Sequence, residues 1–212
     1  MIVVDIETSG GFNPSKYGIW QIGALELENP DNTFLEEAHL DVKDEIDQEA
    51  LKVIGKTEQE LRDSQKQTQK ELLEHFFLWA NKQQDKNLIA HNTPFDFGFL
   101  SMKSQLYGLQ FPFPHRSLDL HTLAAIIYFQ INGIFFTDLG VSKMNLTNIL
   151  KFCGLPDNRI QIEKGNIKQP GTPHNGLEDA QCEAECWNRL LHGKPLLEKF
   201  NQFPIPPELI KK

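Results

Sequence analysis

Residues 2–10 read Ile2-Val3-Val4-Asp5-Ile6-Glu7-Thr8-Ser9-Gly10. The opening three side chains are apolar and β-branched, the composition of a buried strand. Residues two apart on a strand point to the same face, so Asp5 and Glu7 emerge side by side at the end of this one. Two carboxylates that close repel each other unless a cation neutralises them. Hard oxygen donors at this density suit Mg²⁺ or Mn²⁺ better than Zn²⁺. Alone, the pattern also fits a solvated strand end.

Working outward, residues 18–27 form a second strand. The loop between the two holds the turn formers Gly10, Gly11, Asn13 and Pro14, and so short a connection implies an antiparallel pair. Residues 30–64 are polar and read as a third strand followed by short helices. Leu72, Leu73, Phe76, Phe77 and Ala80 fall on one face at helical spacing and place a helix over 66–80. A short strand over 87–90 leads into a helix over 94–107 with Pro94 in its first turn. Further helices are expected over 119–131, 145–152 and 176–191, and residues 156–173 read as a long loop. Strands in front and helices behind give an α/β fold, a mixed sheet covered by helices. The domain is read as residues 1–192, with a short Pro-rich tail over 193–212.

Two other stretches carry chemistry-bearing residues. His91-Asn92-Thr93-Pro94-Phe95-Asp96 lies where a strand meets a helix, a common place for ligand contacts in open α/β sheets. Asp96 then sits in the first helical turn, which also suits an ordinary helix-start aspartate. His174-Asn175-Gly176-Leu177-Glu178-Asp179 puts a histidine in a loop and a carboxylate in the helix that follows. A loop imidazole can approach a site that a helix-borne carboxylate helps to hold.

The three stretches together, in this order, resemble the DEDDh (DnaQ-like) 3′–5′ exonuclease superfamily. The pattern Asp-x-Glu-Thr is met by Asp5, Glu7 and Thr8, His-Asn-x-x-Phe-Asp by His91 through Asp96, and His-x-x-x-x-Asp-Ala by His174, Asp179 and Ala180. Ile19-Trp20-Gln21-Ile22-Gly23 is similar to the family's second strand, and the likeness extends to about residue 191. It implies a ribonuclease-H-like core with a central five-stranded mixed β-sheet flanked by α-helices. It implies two Mg²⁺ (or Mn²⁺) ions held by Asp5, Glu7, Asp96 and Asp179, with His174 as general base. Thr8 and Asn92 are expected to hold the terminal nucleotide. Phe12 and Phe95 are candidates for stacking on bases, Phe95 with core packing as the equal alternative. The partner implied is a single-stranded nucleic-acid 3′ end; a homodimer is allowed and no polymerase partner is required. Gly176 departs from the family pattern and is expected to loosen the loop that carries His174. A second reading keeps the fold as a non-catalytic nucleic-acid-binding or polymerase accessory module.

Composition limits the alternatives. The net charge of -8 argues against a basic face for long duplexes and favours a few close contacts at a strand end. Lys16, Lys143, Lys164 and Lys168 are candidate phosphate contacts, with solvated surface as the plainer reading. Three cysteines, Cys153, Cys182 and Cys186, form no disulfide framework and read as buried thiols. No signal peptide is expected, no run is long enough to span a membrane, and a cytoplasmic setting fits. Gly55-Lys56-Thr57 lacks the earlier glycine of a phosphate-binding loop, because Ala50 stands there. Asp119 reads as a helix N-cap.

Overall fold

The computed structural model describes residues 1–163 and 166–210, without the side chain of Glu163. In chain order the elements are β1 (Ile2–Thr8), β2 (Ile19–Glu26), β3 (Asn29–His39), α1 (Gln48–Ile54), α2 (Glu58–Leu61), β4 (Gln67–Thr68) and α3 (Gln69–Asn81). They continue as β5 (Leu88–Ala90), α4 (Pro94–Leu106), β6 (Leu118–Asp119), α5 (Leu120–Asn132), β7 (Thr137–Asp138) and β8 (Val141–Ser142). Then come α6 (Leu146–Phe152), β9 (Gln161–Glu163), β10 (Asn166–Gln169) and α7 (Gly176–His192), followed by two single-turn 3-10 helices, Glu198–Phe200 and Pro207–Leu209.

The main sheet runs β4-β3-β2-β1-β5-β6. β1, β2 and β3 pair antiparallel, whereas β5 joins β1, β6 joins β5 and β4 joins β3 in parallel. The sheet is therefore mixed, as expected, with six strands rather than five. The extra one, β4, is two residues of edge that lead directly into a capping box, in which Thr68 and Glu71 satisfy each other's backbone at the start of α3.

β1 alternates between two cores because its successive side chains point to opposite faces. Ile2, Val4 and Ile6 join Leu72, Phe76 and Phe99 from α3 and α4, while Val3 joins Leu120, Ile149 and Ala184 from α5, α6 and α7. The central strand, covered on both faces, holds its carboxylates at one end of the sheet. The chain after α7 packs back on it. Arg189 is fully buried, pairs with Glu185 at 2.6 Å and donates to the carbonyls of Cys153, Phe200 and Phe203.

Two segments depart from the expected elements. Residues 156–173 are not a plain loop: β9 and β10 pair antiparallel across them. β7 and β8 form a second small hairpin. Lys164 lies outside the described residues. Among those described, no helix is long and apolar enough to cross a membrane.

Candidate active site

Two glycines and a capping asparagine bring α7 onto the sheet. A Cβ on Gly23 of β2 would fall 1.9 Å from the Leu177 nitrogen, and one on Gly176 would fall 2.8 Å from the Asp5 carbonyl oxygen. Only hydrogen at both positions allows this approach. The Gly176 N–H donates to Gln21 Oε1 at 2.7 Å, and Asn175 caps the helix by accepting from the amides of Leu177 and Glu178. Gly176 thus seats the third motif against the first, contrary to the expectation that it loosens the loop.

Asp96 is tied to β1 in the same direct way. Its Oδ1 accepts the Ile6 N–H at 3.1 Å, and the side chain is buried. Asp5, Glu7, Asp179 and His174 line one open cavity of about 420 Å³. One ligand atom from each of Glu7, His174 and Asp179 lies within 4.8 Å of the others. Asp96 flanks the group behind the lining, close enough for its charge to act on Asp5, Glu7 and Glu183.

The electrostatics follow from crowding. Burial, then the charge of Asp179, pushes Glu7 up to about 8 despite relief from Arg159. Burial also lifts Asp96 to about 8, against the amides that stabilise its anion. Asp5 is raised well above the usual carboxylate range by burial and by the charges of Glu7, Glu183, Asp179 and Asp96. Such a set is costly to ionise without a counter-cation. All-carboxylate oxygen donors with one imidazole beside them fit a hard divalent ion such as Mg²⁺ or Mn²⁺.

His174 is held from two sides. Its N–H donates to Val53 O at 3.2 Å, Nε2 lies 3.1 Å from Ile160 O, and Nδ1 lies 3.4 Å from Asp179 Oδ2. With the Nε2 proton committed to the carbonyl of Ile160, Nδ1 is the atom that faces the carboxylates. Burial lowers its pKa and outweighs the opposing pull of Asp179, which keeps the ring neutral.

The remaining predicted contacts divide. Thr8 lines the cavity and its hydroxyl donates to Gly10 O at 2.6 Å. Phe95 also lines it, and it packs edge-on against Phe12 at 5.2 Å and against buried Phe99 at 4.8 Å. Phe12 is 79% exposed. Asn92 does not line the cavity: it takes a left-handed conformation, φ 62, and its carbonyl accepts the Phe95 N–H. Asp119 is the N-cap of α5 and also accepts from Thr93 N–H. Lys16 pairs with Glu45 and Lys143 with Asp138, both at the surface.

Two residues of the site have no counterpart in the sequence reading. Glu183, one helical turn beyond Asp179, is buried, lines the cavity and accepts the His91 N–H at 3.0 Å. Its position four residues on, on the same helical face, was the available signal. Arg159 reaches the site from the segment before β9 and lies 3.2 Å from Asp179 Oδ2. An arginine in a polar stretch offers no such signal.

With this geometry in view, comparison with known proteins gives a consistent answer. Residues 2–186 match the RNase_T exonuclease family, and the chain belongs to it. It is therefore a phosphodiester hydrolase of a class that works from a chain end, with a family habit of divalent-metal use. No curated protein matches the chain in sequence. Among solved structures, it is similar to the nuclease domain of 3′hExo, a DEDDh family member bound to rAMP: 18% identity, TM-score 0.64, covering 93% of this chain and 94% of that one. It is similar to E. coli Exonuclease I in complex with a dT13 oligonucleotide at 16% identity and TM-score 0.62, covering 86% of this chain and 39% of that one. It is similar to S. pombe Pop2p in its Mg²⁺- and Mn²⁺-bound form at 15% identity and TM-score 0.50, covering 88% of this chain and 80% of that one.

Proposed function

We propose that the chain removes nucleotides from the 3′ end of single-stranded DNA or RNA, with two Mg²⁺ or Mn²⁺ ions held by Asp5, Glu7, Asp96 and Asp179. The observation that carries this reading is the convergence of Asp5, Glu7, Asp179 and His174 on one open cavity, with Asp96 tied to the same strand end. Bound cations supply neutralisation of the carboxylates and Lewis acidity toward a scissile phosphodiester.

The chain's own residues do the rest. His174 is the general base: its neutral ring takes the proton of the attacking water at Nδ1, while the carbonyl of Ile160 holds Nε2. Thr8 and Phe95 border the space for the terminal nucleotide. Phe12 leans on Phe95 with most of its ring in solvent, which suits stacking on a base of any identity. Asn92 contributes through the turn that sets Phe95 in place. The ligands of 3′hExo and Exonuclease I, rAMP and a dT13 oligonucleotide, support a nucleotide or single strand as the class of ligand. The net charge of -8 favours a strand end over a long duplex.

The test is a gel assay of 5′-labelled DNA and RNA single strands with Mg²⁺, with Mn²⁺ and with chelator. The expected result is a metal-dependent ladder shortening from the 3′ end, which also ranks the two substrates. Retention of the strand without cleavage would instead support the accessory-module reading.

A further inference from the structure

We propose that Arg159 is a phosphate-binding residue, clamped by Asp157 at the wall between two cavities so that its guanidinium meets a phosphodiester of the strand delivered to the carboxylates. The inference rests on the exonuclease reading of that site and adds a residue to it.

The clamp is bidentate. Arg159 Nε lies 2.9 Å from Asp157 Oδ1, and Nη2 lies 2.9 Å from Asp157 Oδ2. Asp157 is itself fixed by the Thr147 hydroxyl at 2.7 Å and by the Arg159 N–H at 3.1 Å. Burial would raise Asp157, but these bonds outweigh it and bring its pKa to about 2, so the clamp stays charged at working pH. A planar guanidinium has five N–H donors, and Asp157 occupies two. The Nη1 end is the one presented to Asp179.

The residue sits at a junction. Arg159 lines the catalytic cavity and a second cavity of about 360 Å³, with Asn145, Thr147 and His174 bordering both, and its Asp157 side faces a third of about 370 Å³. Among the described residues of the catalytic cavity, Arg159 is the one lysine or arginine. Cations at the carboxylates offset Glu7, Asp179 and Glu183, while the net charge of -8 gives the chain as a whole no attraction for a polyanion. A forked, pre-oriented arginine at this wall supplies the missing attraction. It matches phosphate geometry better than a lysine does. A merely structural tie from this segment to α7 explains the Asp179 contact. It does not require Arg159 to line both cavities.

The test compares wild type with Arg159→Gln and Arg159→Lys in two measurements. The first is KM and kcat on a 5′-labelled single strand with Mg²⁺. The second is equilibrium binding of a short fluorescent single strand with Ca²⁺ in place of Mg²⁺, over a range of salt. Arg159→Gln is expected to raise KM and the strand Kd about tenfold or more. Its log–log salt slope should become shallower by about 0.7, the loss of one phosphate contact on a single strand. Mn²⁺ affinity measured by calorimetry should not fall, because the charge of Arg159 beside Asp179 opposes a bound cation. Arg159→Lys should recover the salt slope and only part of the affinity. An unchanged strand Kd and salt slope in Arg159→Gln would overturn the proposal, as would a loss confined to Mn²⁺ binding. If Arg159→Gln does not fold, Asp157→Asn takes its place: it should weaken strand binding with the salt slope intact, and unchanged binding would again overturn the proposal. Wild type that binds the strand yet never cuts it would sink the exonuclease reading while leaving the Arg159 comparison valid.

Discussion

Gly23 on β2 and Gly176 at the start of α7 are in backbone contact, so close that a Cβ on Gly23 would stand 2.0 Å from the Gly176 carbonyl carbon. This contact joins the sheet end bearing Asp5 and Glu7 to the helix bearing Asp179.

The obstacle to a side chain there is backbone, which cannot rotate away. Gly23→Ala should therefore destabilise the fold by at least ~1–3 kcal/mol, the usual cost of overpacking. It should also lower turnover in the fraction that remains folded, because α7 must move off the sheet. Urea unfolding monitored by circular dichroism, with activity measured well below the midpoint, checks both. A stable and fully active Gly23→Ala would show that α7 is not seated by this contact.

The buried carboxylates set a pH dependence. Glu7 and Asp96 are each raised to about 8, and Asp5 and Glu183 are raised as well, chiefly by burial. A carboxylate whose folded pKa exceeds its unfolded value of about 4 favours the fold while protonated. Its stabilisation is complete below about pH 4 and is lost as pH rises toward about 8. Metal-free protein should accordingly melt at a lower temperature at about pH 8.5 than at about pH 5.5. Saturating Mg²⁺ or Mn²⁺ should abolish most of that difference. Differential scanning fluorimetry in chelator and in metal checks it; an equal melting temperature across the range in chelator would contradict the crowding argument.

His174 is assigned proton transfer rather than metal ligation. His174→Ala should lower kcat by about 10²–10⁴-fold, the usual contribution of a general base. Mn²⁺ affinity by calorimetry should stay within a few fold of wild type. Loss of metal binding would make His174 a ligand, a role its distances to Glu7 and Asp179 also allow.

Phe12 should matter to binding and little to chemistry. Phe12→Ala removes an exposed ring that rests on Phe95. It should weaken single-strand binding by about 1–3 kcal/mol, the scale of one stacked base, with little change in melting temperature. Fluorescence anisotropy with a single strand in Ca²⁺ reads the first quantity, and unchanged affinity would leave Phe12 as loop surface.

The parts of this molecule legible from sequence are those in which local pattern and long-range structure agree. The β1–β2 pair follows from two apolar runs and a glycine-rich loop, and α3 from Leu72, Phe76 and Ala80 repeating at helical spacing. Asp5, Glu7, Asp96, His174 and Asp179 stand out through three ordered stretches that together carry the family resemblance, each of which alone also fits an ordinary strand end, helix start or surface loop. Other parts depend on tertiary closure. The β9–β10 hairpin is short and polar, and it is defined by its place beside α1 and His174 rather than by alternation. Glu183 has the residue type of a solvated helix face, and only the packing of α7 on β1 buries it. Arg159 acquires its role from Asp157 and Asp179, the second of them twenty positions along the chain. Gly176 reads as a flexible link until the sheet it touches is known.

The central claim is that the carboxylate cluster at the end of β1 performs metal-dependent hydrolysis. The most direct measurement is hydrolysis of a 5′-labelled single strand by Asp5→Asn, beside wild type, at saturating Mn²⁺. Replacing one of several crowded carboxylates should leave the metal-free melting temperature equal or higher, and hydrolysis should fall by about 10³-fold or more, the scale of losing a metal-borne transition-state interaction. Near-wild-type hydrolysis by folded Asp5→Asn would contradict the assignment of the site.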